Sequence, residues 1–387
     1  MIAILSREDE DKIKTESSAI DSVQLACMLI AFSTGSAIVF IPNPLTGAAS
    51  NDAWLSLVPA FGFGLLILTC ILYLHRKHAG RSLIDYSRGL IGGFLTSVAA
   101  VPLLGMFLFS IPAIITGIGE FFTTVMMKET PVYVFNSLSL LTAALTVRSG
   151  IKVMARMFLL LIFVMLFCSI AVILLAVPQY QAEFLLPLLP DGLKPVFHGA
   201  FIAAGFPFGE VFFFSMLLPF VRARWKDLRS KMYLGFAVTG AMLMLSTLCT
   251  LLTFGPASGS LKYSLYRLAG EIEIAEILQR IEAVIGIALI LGSYMKASVF
   301  LFIFNRVLAE LFRLDDDRVL VYPVSLVCLM LSLTMFDSPA TFVEQVYEIW
   351  PFTVMAVGGG YVALLAIVTL FKPIRPGRSV KGRGATK

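Results

Sequence analysis

The sequence predicts an all-α polytopic membrane protein with ten transmembrane helices, on three observations. Of its 387 residues, 58% are hydrophobic and only 14% are charged, and the mean hydropathy is +0.89, outside the range of soluble proteins. Its apolar runs continue for about 20 residues, which crosses about 30 Å of hydrocarbon as a helix. The runs do not alternate apolar with polar residues, as the strands of a membrane barrel do.

Ten apolar runs mark the predicted spans, which we number 1 to 10 in chain order. They are residues 23–42, 54–74, 95–122, 132–147, 157–177, 196–220, 232–254, 283–304, 319–336 and 351–371. Residues 23–371 then form one membrane domain, between a polar tail, 1–22, and a basic tail, 372–387. We expect the polar tail to be retained, because charged residues crowd the region where a signal peptide is apolar. We expect the basic tail to contact anionic membrane lipids.

The positive charges predict that both termini are cytoplasmic. With that orientation, the two tails and the four inner connections hold 24 of the 30 lysines and arginines. The outer connections hold five, and Lys296 falls within span 8. Basic residues flank membrane spans on the cytoplasmic side, and Trp54 and Trp350 begin spans at the outer face, where tryptophan is enriched. The net charge of +5 therefore reflects topology, and we expect no nucleic-acid partner.

Spans 1 and 6 are each predicted to be broken near their middle. Small and hydroxyl residues interrupt span 1 at Ser33, Thr34, Gly35 and Ser36. Span 6 is interrupted at Gly205-Phe206-Pro207-Phe208-Gly209. Gly35 and Gly205 are 170 residues apart, about half of the membrane domain. This spacing predicts two inverted halves of five helices each, whose first helices are discontinuous.

A broken helix offers backbone groups to a small ligand. Unwinding frees N–H and C=O groups, and the N-terminal end of the following half-helix attracts a carboxylate. We therefore predict an amino-acid site formed by residues 33–36 with Phe109, Gly205, Phe206 and Gly209. The alternative is that Gly205 and Gly209 form a G-x-x-x-G packing face. Pro207 between them favours a break, because proline removes a backbone hydrogen bond.

Three ionisable residues lie within the predicted spans, at Glu120, Glu210 and Lys296. A charge in the membrane is costly unless it faces a cavity or a partner, so each is a candidate functional residue. Glu210 and Lys296 either form an ion pair, which could serve only to fix the helix register, or act separately. In the second case Lys296 would stand as a fixed positive charge in place of a bound cation. The sequence contains no catalytic or metal-binding motif, so we expect neither an enzyme, a cofactor nor a metal.

One further amphipathic segment is predicted between spans 7 and 8. Residues 271–282 place Ile272, Leu278 and Ile281 among acidic residues at near-helical spacing. Such a segment is typical of a helix that lies on a membrane surface. We expect it to cover the outer mouth of the bundle.

The sequence resembles the spore germination permeases, which form the B subunit of nutrient germinant receptors in endospore-forming bacteria. The resemblance covers nearly the whole chain. It depends on short motifs in a fixed order, namely Gln24 to Pro42 with its central Gly35, Asn51-Asp52-Ala53-Trp54-Leu55-Ser56, Thr130-Pro131, Phe208-Gly209-Glu210, Arg280-Ile281-Glu282, and Lys296 followed by Ser298. The family belongs to the amino acid, polyamine and organocation transporter superfamily. The resemblance therefore implies a LeuT-like fold, with broken helices 1 and 6.

The resemblance also implies a function and partners. The protein would lie in the inner membrane of the dormant spore with an A subunit and a lipoprotein C subunit. It would bind a small nutrient, an amino acid in our interpretation, and trigger germination through those subunits. The alternative function is a proton-coupled amino-acid transporter in which Glu210 or Lys296 titrates. The basic tail after Pro373 matches no motif of the family.

Overall fold

The computed structural model describes residues 19–78, 80–271, 281–314 and 316–371, and these residues form a helical membrane bundle. Nine of its helical stretches are at least 18 residues long and apolar enough to cross a membrane, and Val132–Arg148 is a shorter apolar helix of 17 residues. The ten spans, in order, are Ser22–Phe40, Ala53–Lys77, Gly93–Phe121, Val132–Arg148, Ile151–Leu175, Leu193–Met216, Trp225–Phe254, Glu282–Phe312, Asp317–Thr334 and Pro339–Phe371. Within the described ranges, β structure is limited to one bridge between Ile20 and Val221.

Short helices and side-chain caps complete the connections between spans. The helix Pro42–Ala49 continues span 1, and the helix Leu83–Ile91 joins spans 2 and 3. Span 1 begins with a capping box, in which the Asp21 carboxyl accepts the Gln24 N–H at 2.7 Å and the Gln24 side chain accepts the Asp21 N–H at 3.0 Å. These bonds supply partners for N–H groups that a helix start leaves free.

The bundle has two ends, which we call the basic face and the opposite face. The basic face carries the connections after spans 2, 4, 6 and 8. Contacts there include the Arg148 guanidinium over the Tyr322 ring at 4.9 Å and the Ser82 hydroxyl, which donates to Glu310 at 2.6 Å. The opposite face carries the connections after spans 1, 3, 5, 7 and 9. There the Asn43 amide donates to the Gly259 carbonyl at 2.9 Å.

Spans 1 and 6 are both discontinuous. In span 1 the helix Ser22–Thr34 ends at Gly35, whose φ of −18° and ψ of −100° are not helical, and the helix resumes at Ala37–Phe40. In span 6 the helix Leu193–Ala203 is followed by a turn at Ala204–Phe208, in which Phe206 has an extended φ of −130° and ψ of 117°. The backbone then continues as a 3-10 helix over Gly209–Met216. Each broken span therefore has one half on each face of the bundle.

Span 8 lies against both breaks, and most of its residues are buried. Its Gly292 meets Gly35 so closely that a Cβ on Gly35 would lie 2.7 Å from the Gly292 carbonyl oxygen. Phe300, two turns further along, packs on Phe32 of span 1 and Phe213 of span 6, with ring centroids 4.8 Å apart in both cases. These contacts hold spans 1, 6 and 8 together around the point where two helices are interrupted.

The predicted spans all overlap the observed ones, and most observed helices are longer. Span 5, for example, begins at Ile151 instead of residue 157, and span 7 at Trp225 instead of 232. The apolar run measures the hydrocarbon thickness, whereas a helix extends past it with polar turns. The predicted amphipathic helix at 271–282 falls largely on residues 272–280, outside the described residues, as do most of the polar tail and the basic tail.

Candidate ligand-binding site

A buried ion pair lies beside the break in span 6. The Lys296 ammonium of span 8 and the Glu210 carboxylate are 2.5 Å apart, and their side chains are 1% and 3% exposed. Glu210 is the second residue of Gly209–Met216, so it lies near the N-terminal end of a half-helix, where negative charge is favourable. Each charge lowers the cost of burying the other, which is large for a lone ion.

The pair has aromatic partners on both sides. The second carboxylate oxygen of Glu210 accepts the indole N–H of Trp350 at 3.0 Å. The Lys296 ammonium lies over the Phe206 ring at 4.1 Å and over the Phe32 ring at 5.2 Å from the centroid. A cation above an aromatic face is attracted by the ring quadrupole, most strongly when it is desolvated. The two charges are therefore satisfied within the protein in this conformation.

A small pocket of about 60 Å³ opens next to the pair. Its walls come from five spans and are mainly aromatic. The lining side chains are Ser36 and Phe40 of span 1, Phe109, Ser110, Ala113, Ile114 and Gly117 of span 3, Phe206 and Glu210 of span 6, Lys296 of span 8, and Phe342, Val346, Tyr347 and Trp350 of span 10. The pocket combines apolar walls with one buried charge pair, as small-molecule sites commonly do.

The pocket is small. One water molecule requires roughly 10–15 Å³ of such space, so the volume of about 60 Å³ holds only a few waters and is too small for most amino acids. On the side toward the opposite face it is closed by the start of span 10, where Trp350 stacks on Phe109 with centroids 5.2 Å apart. The Tyr347 hydroxyl donates to the Phe40 carbonyl at 3.4 Å and joins spans 10 and 1. Binding of a larger ligand would require these side chains to move.

The predicted site residues fall into two groups. Ser36, Phe109, Phe206, Glu210 and Lys296 line the pocket. The remaining residues predicted to bind substrate lie at the two breaks but not in the pocket wall; they are Ser33, Thr34, Gly35, Gly205 and Gly209. The Thr34 hydroxyl donates to the Ile30 carbonyl at 2.5 Å, within its own helix. The buried Ser33 hydroxyl has no hydrogen-bond partner.

The glycines at the breaks allow helices to approach closely. A Cβ on Gly205 would lie 2.1 Å from the Cα of Pro351, and a Cβ on Gly209 would lie 2.8 Å from Val354. Both glycines therefore pack against span 10, while the non-helical backbone lies between them at Phe206. Packing and interruption, which the sequence left as alternatives for this motif, occur together in the structure.

Glu120 lies apart from the pocket, on the opposite face. Its carboxylate pairs with the Lys262 ammonium at 2.7 Å, and the two side chains are 17% and 36% exposed. Neither residue lines the pocket beside Glu210. The three ionisable residues that the sequence grouped together thus belong to two separate ion pairs.

Trp350 is the main site residue that the sequence analysis missed. Its position at the start of an apolar run indicated a membrane-interface anchor, but the side chain is 4% exposed and is hydrogen-bonded to Glu210. The other missed residues are aromatic or small side chains in spans 1, 3 and 10, such as Phe40, Ser110 and Tyr347. No local pattern distinguishes them from ordinary core residues.

The sequence is similar to that of known spore germination proteins. The family described as "Spore germination protein" (Spore_permease) matches residues 19–339. Spore germination protein KB of Bacillus subtilis (strain 168) is 26% identical over 324 residues, which cover 83% of this chain and 86% of that protein. Spore germination protein YndE of the same organism is 23% identical over 189 residues, which cover 47% of this chain and 50% of YndE.

Two solved transporter structures share the fold. MhsT in complex with L-phenylalanine aligns with a TM-score of 0.65 at 13% identity, over 92% of this chain and 89% of MhsT. A substrate-bound, outward-open Na⁺-coupled sialic acid symporter aligns with a TM-score of 0.68 at 11% identity, over 94% of this chain and 82% of the symporter. The predicted all-helical fold, with ten spans in a five-plus-five inverted repeat, is confirmed. Together with the sequence match over residues 19–339, this shows that the chain belongs to the spore germination permease family.

Proposed function

We propose that this protein is the membrane subunit of a nutrient germinant receptor, and that it binds an amino acid in the pocket between the breaks of spans 1 and 6. The observation that carries the proposal is the buried Glu210–Lys296 pair in the wall of an aromatic pocket. A pair used only to fix the helix register would not need to border a cavity. Membership of the spore germination permease family supplies the biological context.

The chemistry of the pocket supports a ligand with both charges. A carboxylate is complementary to the Lys296 ammonium and to the N–H groups that a helix break leaves free. An ammonium group is complementary to the Glu210 carboxylate and to the faces of the surrounding aromatic rings. The Glu210–Lys296 pair is neutral as a whole. A zwitterionic ligand is neutral too, and its two charges replace the contacts that Glu210 and Lys296 make with each other. The structural relative MhsT holds L-phenylalanine, which is such a ligand.

The small volume of the pocket supports a two-state mechanism. We propose that the nutrient binds a more open state in which Trp350 has moved away from Phe109 and Glu210. A ligand shifts such an equilibrium only as far as its affinities for the two states differ. The changed position of spans 1, 6 and 10 is then passed to an A subunit and a lipoprotein C subunit. In this proposal the basic face is cytoplasmic, both termini lie on that side, and the membrane is the spore inner membrane.

A proton-coupled amino-acid transporter is the second candidate function. The observation that favours it is a buried, titratable pair in a fold shared with a Na⁺-coupled symporter. The Lys296 ammonium supplies a fixed charge beside span 1, so we expect neither function to depend on sodium. Uptake of a radiolabelled amino acid into vesicles, driven by a pH gradient and unaffected by replacement of sodium with potassium, would favour the transporter.

The proposal is tested by germination of spores that lack this gene. The spores are exposed separately to each amino acid and to a panel of sugars, with the wild-type gene or the Gly35→Leu variant restored in parallel. We expect loss of response to one nutrient class, with rescue by the wild-type gene only. Unchanged germination of the deletion strain, also in a strain whose other receptor genes are removed, would contradict the proposal. Membrane levels of the variant are measured by immunoblot.

A further inference from the structure

The ends of the two broken spans are hydrogen-bonded to each other at the basic face. The Ile20 N–H donates to the Phe220 carbonyl, and the Arg222 N–H donates to the Ile20 carbonyl, both at 3.0 Å. Ile20 lies just before span 1, and residues 220–222 follow span 6. The Ser22 hydroxyl also donates to the Asp227 carboxyl. We call the two backbone bonds the basic-face link; they join the start of span 1 to the end of span 6, whereas the Ser22 bond reaches span 7.

A second set joins the same two spans at the opposite face. Both carboxyl oxygens of Asp52 accept the Leu189 N–H at 3.1 Å, and the Asn51 amide donates to the Leu186 carbonyl at 2.7 Å. Asn51 and Asp52 follow the helix that continues span 1, and residues 186–189 precede span 6. We call this set the opposite-face link; it joins the end of span 1 to the start of span 6.

The two links are related by the inverted repeat. The symmetry of the repeat places span 1 on span 6 and reverses the two faces of the bundle. The same operation places the basic-face link on the opposite-face link. Their chemistry differs, because the bridge at Ile20 uses backbone atoms, whereas the opposite-face link depends on the side chains of Asn51 and Asp52. Equivalent positions are therefore joined in both halves of the fold, although the two halves use different groups to join them.

The two side chains that make the opposite-face link are buried. Asn51 and Asp52 are 8% and 4% exposed. Leu189 has a φ of +51°, in the left-handed region that favours glycine, so its N–H is held toward Asp52 at the expense of backbone strain. Further along the same motif, Ser56 packs so tightly on Gly199 of span 6 that a Cβ on Gly199 would lie 2.4 Å from the Ser56 hydroxyl oxygen. Residues 51–56 therefore contact both the segment before span 6 and the first half of span 6.

We propose that Asn51 and Asp52 are positioning residues that make the opposite-face halves of spans 1 and 6 move as one unit, while the basic-face link makes the other two halves a second unit. The opposite-face unit contains residues 37–49 and 193–203. The basic-face unit contains residues 22–34 and 209–216. The ligand pocket lies where the units meet, at the breaks near Ser36 and Phe206. A nutrient bound there contacts both units and sets the angle between them.

The role in the nutrient response rests on the proposed function, whereas the pairing of the half-helices does not. The pairing is tested by hydrogen–deuterium exchange on the purified full-length protein in lipid nanodiscs. In Asp52→Ala we expect about tenfold faster exchange in both 37–49 and 193–203, the change that losing one or two partly buried hydrogen bonds produces in a local opening equilibrium. Exchange in 22–34 and 209–216 stays unchanged. Asp191→Ala, an exposed carboxylate next to the same segment, is the control and leaves all four regions unchanged.

The basic-face link gives the reciprocal experiment. Ile20→Pro removes the N–H that donates to Phe220, and we expect faster exchange in 22–34 and 209–216 only. Faster exchange throughout the bundle in either variant, or faster exchange in one half-helix of a unit without the other, would overturn the proposal. If Asp52→Ala does not accumulate in the membrane, Asn51→Ala is used instead, because it removes one neutral hydrogen bond. We expect faster exchange in the same two regions, 37–49 and 193–203, with a smaller increase.

Germination separates this proposal from the proposed function. With a mixture of the twenty amino acids and glucose as the probe, we expect Asp52→Ala to raise the half-maximal concentration about tenfold at an unchanged membrane level, with partial rescue in Asp52→Asn, which keeps one acceptor oxygen. If deletion of the gene leaves germination unchanged but the paired exchange pattern is found, the proposed function fails and the pairing stands. If Asp52→Ala speeds exchange throughout the bundle but deletion of the gene abolishes the nutrient response, the pairing fails and the proposed function stands.

Discussion

Two carboxylate–lysine pairs in this protein have similar lengths and different surroundings. Glu210 and Lys296 are 2.5 Å apart and almost completely buried, whereas Glu120 and Lys262 are 2.7 Å apart with side chains 17% and 36% exposed. The sequence placed Glu120, Glu210 and Lys296 in one class, since all three fall in apolar runs. The structure shows that only one pair borders the pocket.

Burial, and not pairing, decides what an intramembrane charge can do. Removing one partner of a buried pair leaves an uncompensated charge and costs about 3–5 kcal/mol. A partly exposed pair is screened by water and ions and contributes about 0–1 kcal/mol. The Glu210–Lys296 pair is therefore sensitive to anything that enters the pocket, whereas the Glu120–Lys262 pair is largely decoupled from it.

The largest expected effect comes from Lys296→Met. It leaves Glu210 charged or forces it to take up a proton among aromatic rings, so we expect loss of the nutrient response and about 3–5 kcal/mol less stability. Thermal unfolding in nanodiscs and spore germination measure the two effects. The double variant Lys296→Met with Glu210→Gln removes both charges, and its unfolding midpoint should lie closer to the wild type. A double variant less stable than Lys296→Met would contradict this account of the pair.

Trp350→Phe should have the next largest effect. The ring can still stack on Phe109, but the hydrogen bond to Glu210 is lost, which for a charged acceptor costs about 1.5–3 kcal/mol. We expect a lower unfolding midpoint and a changed nutrient concentration dependence. Trp54→Phe is the matched control, because the buried Trp54 indole N–H has no hydrogen-bond partner to lose. Similar losses in the two variants would mean that the hydrogen bond to Glu210 is unimportant.

Gly35→Ala tests the break itself. The added Cβ would lie 2.7 Å from the Gly292 carbonyl oxygen, so spans 1 and 8 must separate, at a cost of about 1–3 kcal/mol for an overpacked contact. We expect a weaker nutrient response in germination assays. Gly62→Ala in span 2 adds the same methyl group where no atom lies within 4 Å, and it should behave as wild type. A normal response in Gly35→Ala would show that spans 1 and 8 tolerate separation.

The smallest effect is expected from Glu120→Gln. Its pair with Lys262 is partly exposed, so the variant should lose about 0–1 kcal/mol and keep a normal nutrient response. The small loss should shrink further in high salt, because salt screens exposed charges. Unfolding midpoints at low and high salt measure this. A loss as large as that of Lys296→Met would remove the distinction between the two pairs.

The fold was largely predictable because a bilayer restricts the options. Apolar runs of span length, with backbone groups that must be satisfied internally, permit a helical bundle, and the small residues around Gly35 and Pro207 indicated the two breaks. Helix ends were less predictable, as at Ile151, because polar turns extend past the hydrocarbon. Asn51 and Asp52 stood out as part of a family motif, but nothing in the sequence indicated their hydrogen-bond partners, which lie more than 130 residues away.

The site was predictable only in part. Breaks and intramembrane charges have local signatures, and Phe206, Glu210 and Lys296 line the pocket. Trp350 has no such signature, because a tryptophan at the start of an apolar run is typical of the membrane interface. Its role follows from the close packing of span 10 on Gly205 and Gly209, which brings the indole to Glu210. Long-range packing of this kind is not encoded in any short segment.

If the nutrient acts at the buried pair, variants of three carboxylates should differ in one germination assay. Spores carrying Glu210→Gln, Glu120→Gln or Glu344→Gln, matched for membrane level, are exposed to the nutrient that the deletion strain no longer senses. Glu344 is exposed and serves as the surface control. We expect Glu210→Gln to lose the response while the other two variants keep it. Equal responses in all three variants would mean that the nutrient does not act at the Glu210–Lys296 pair.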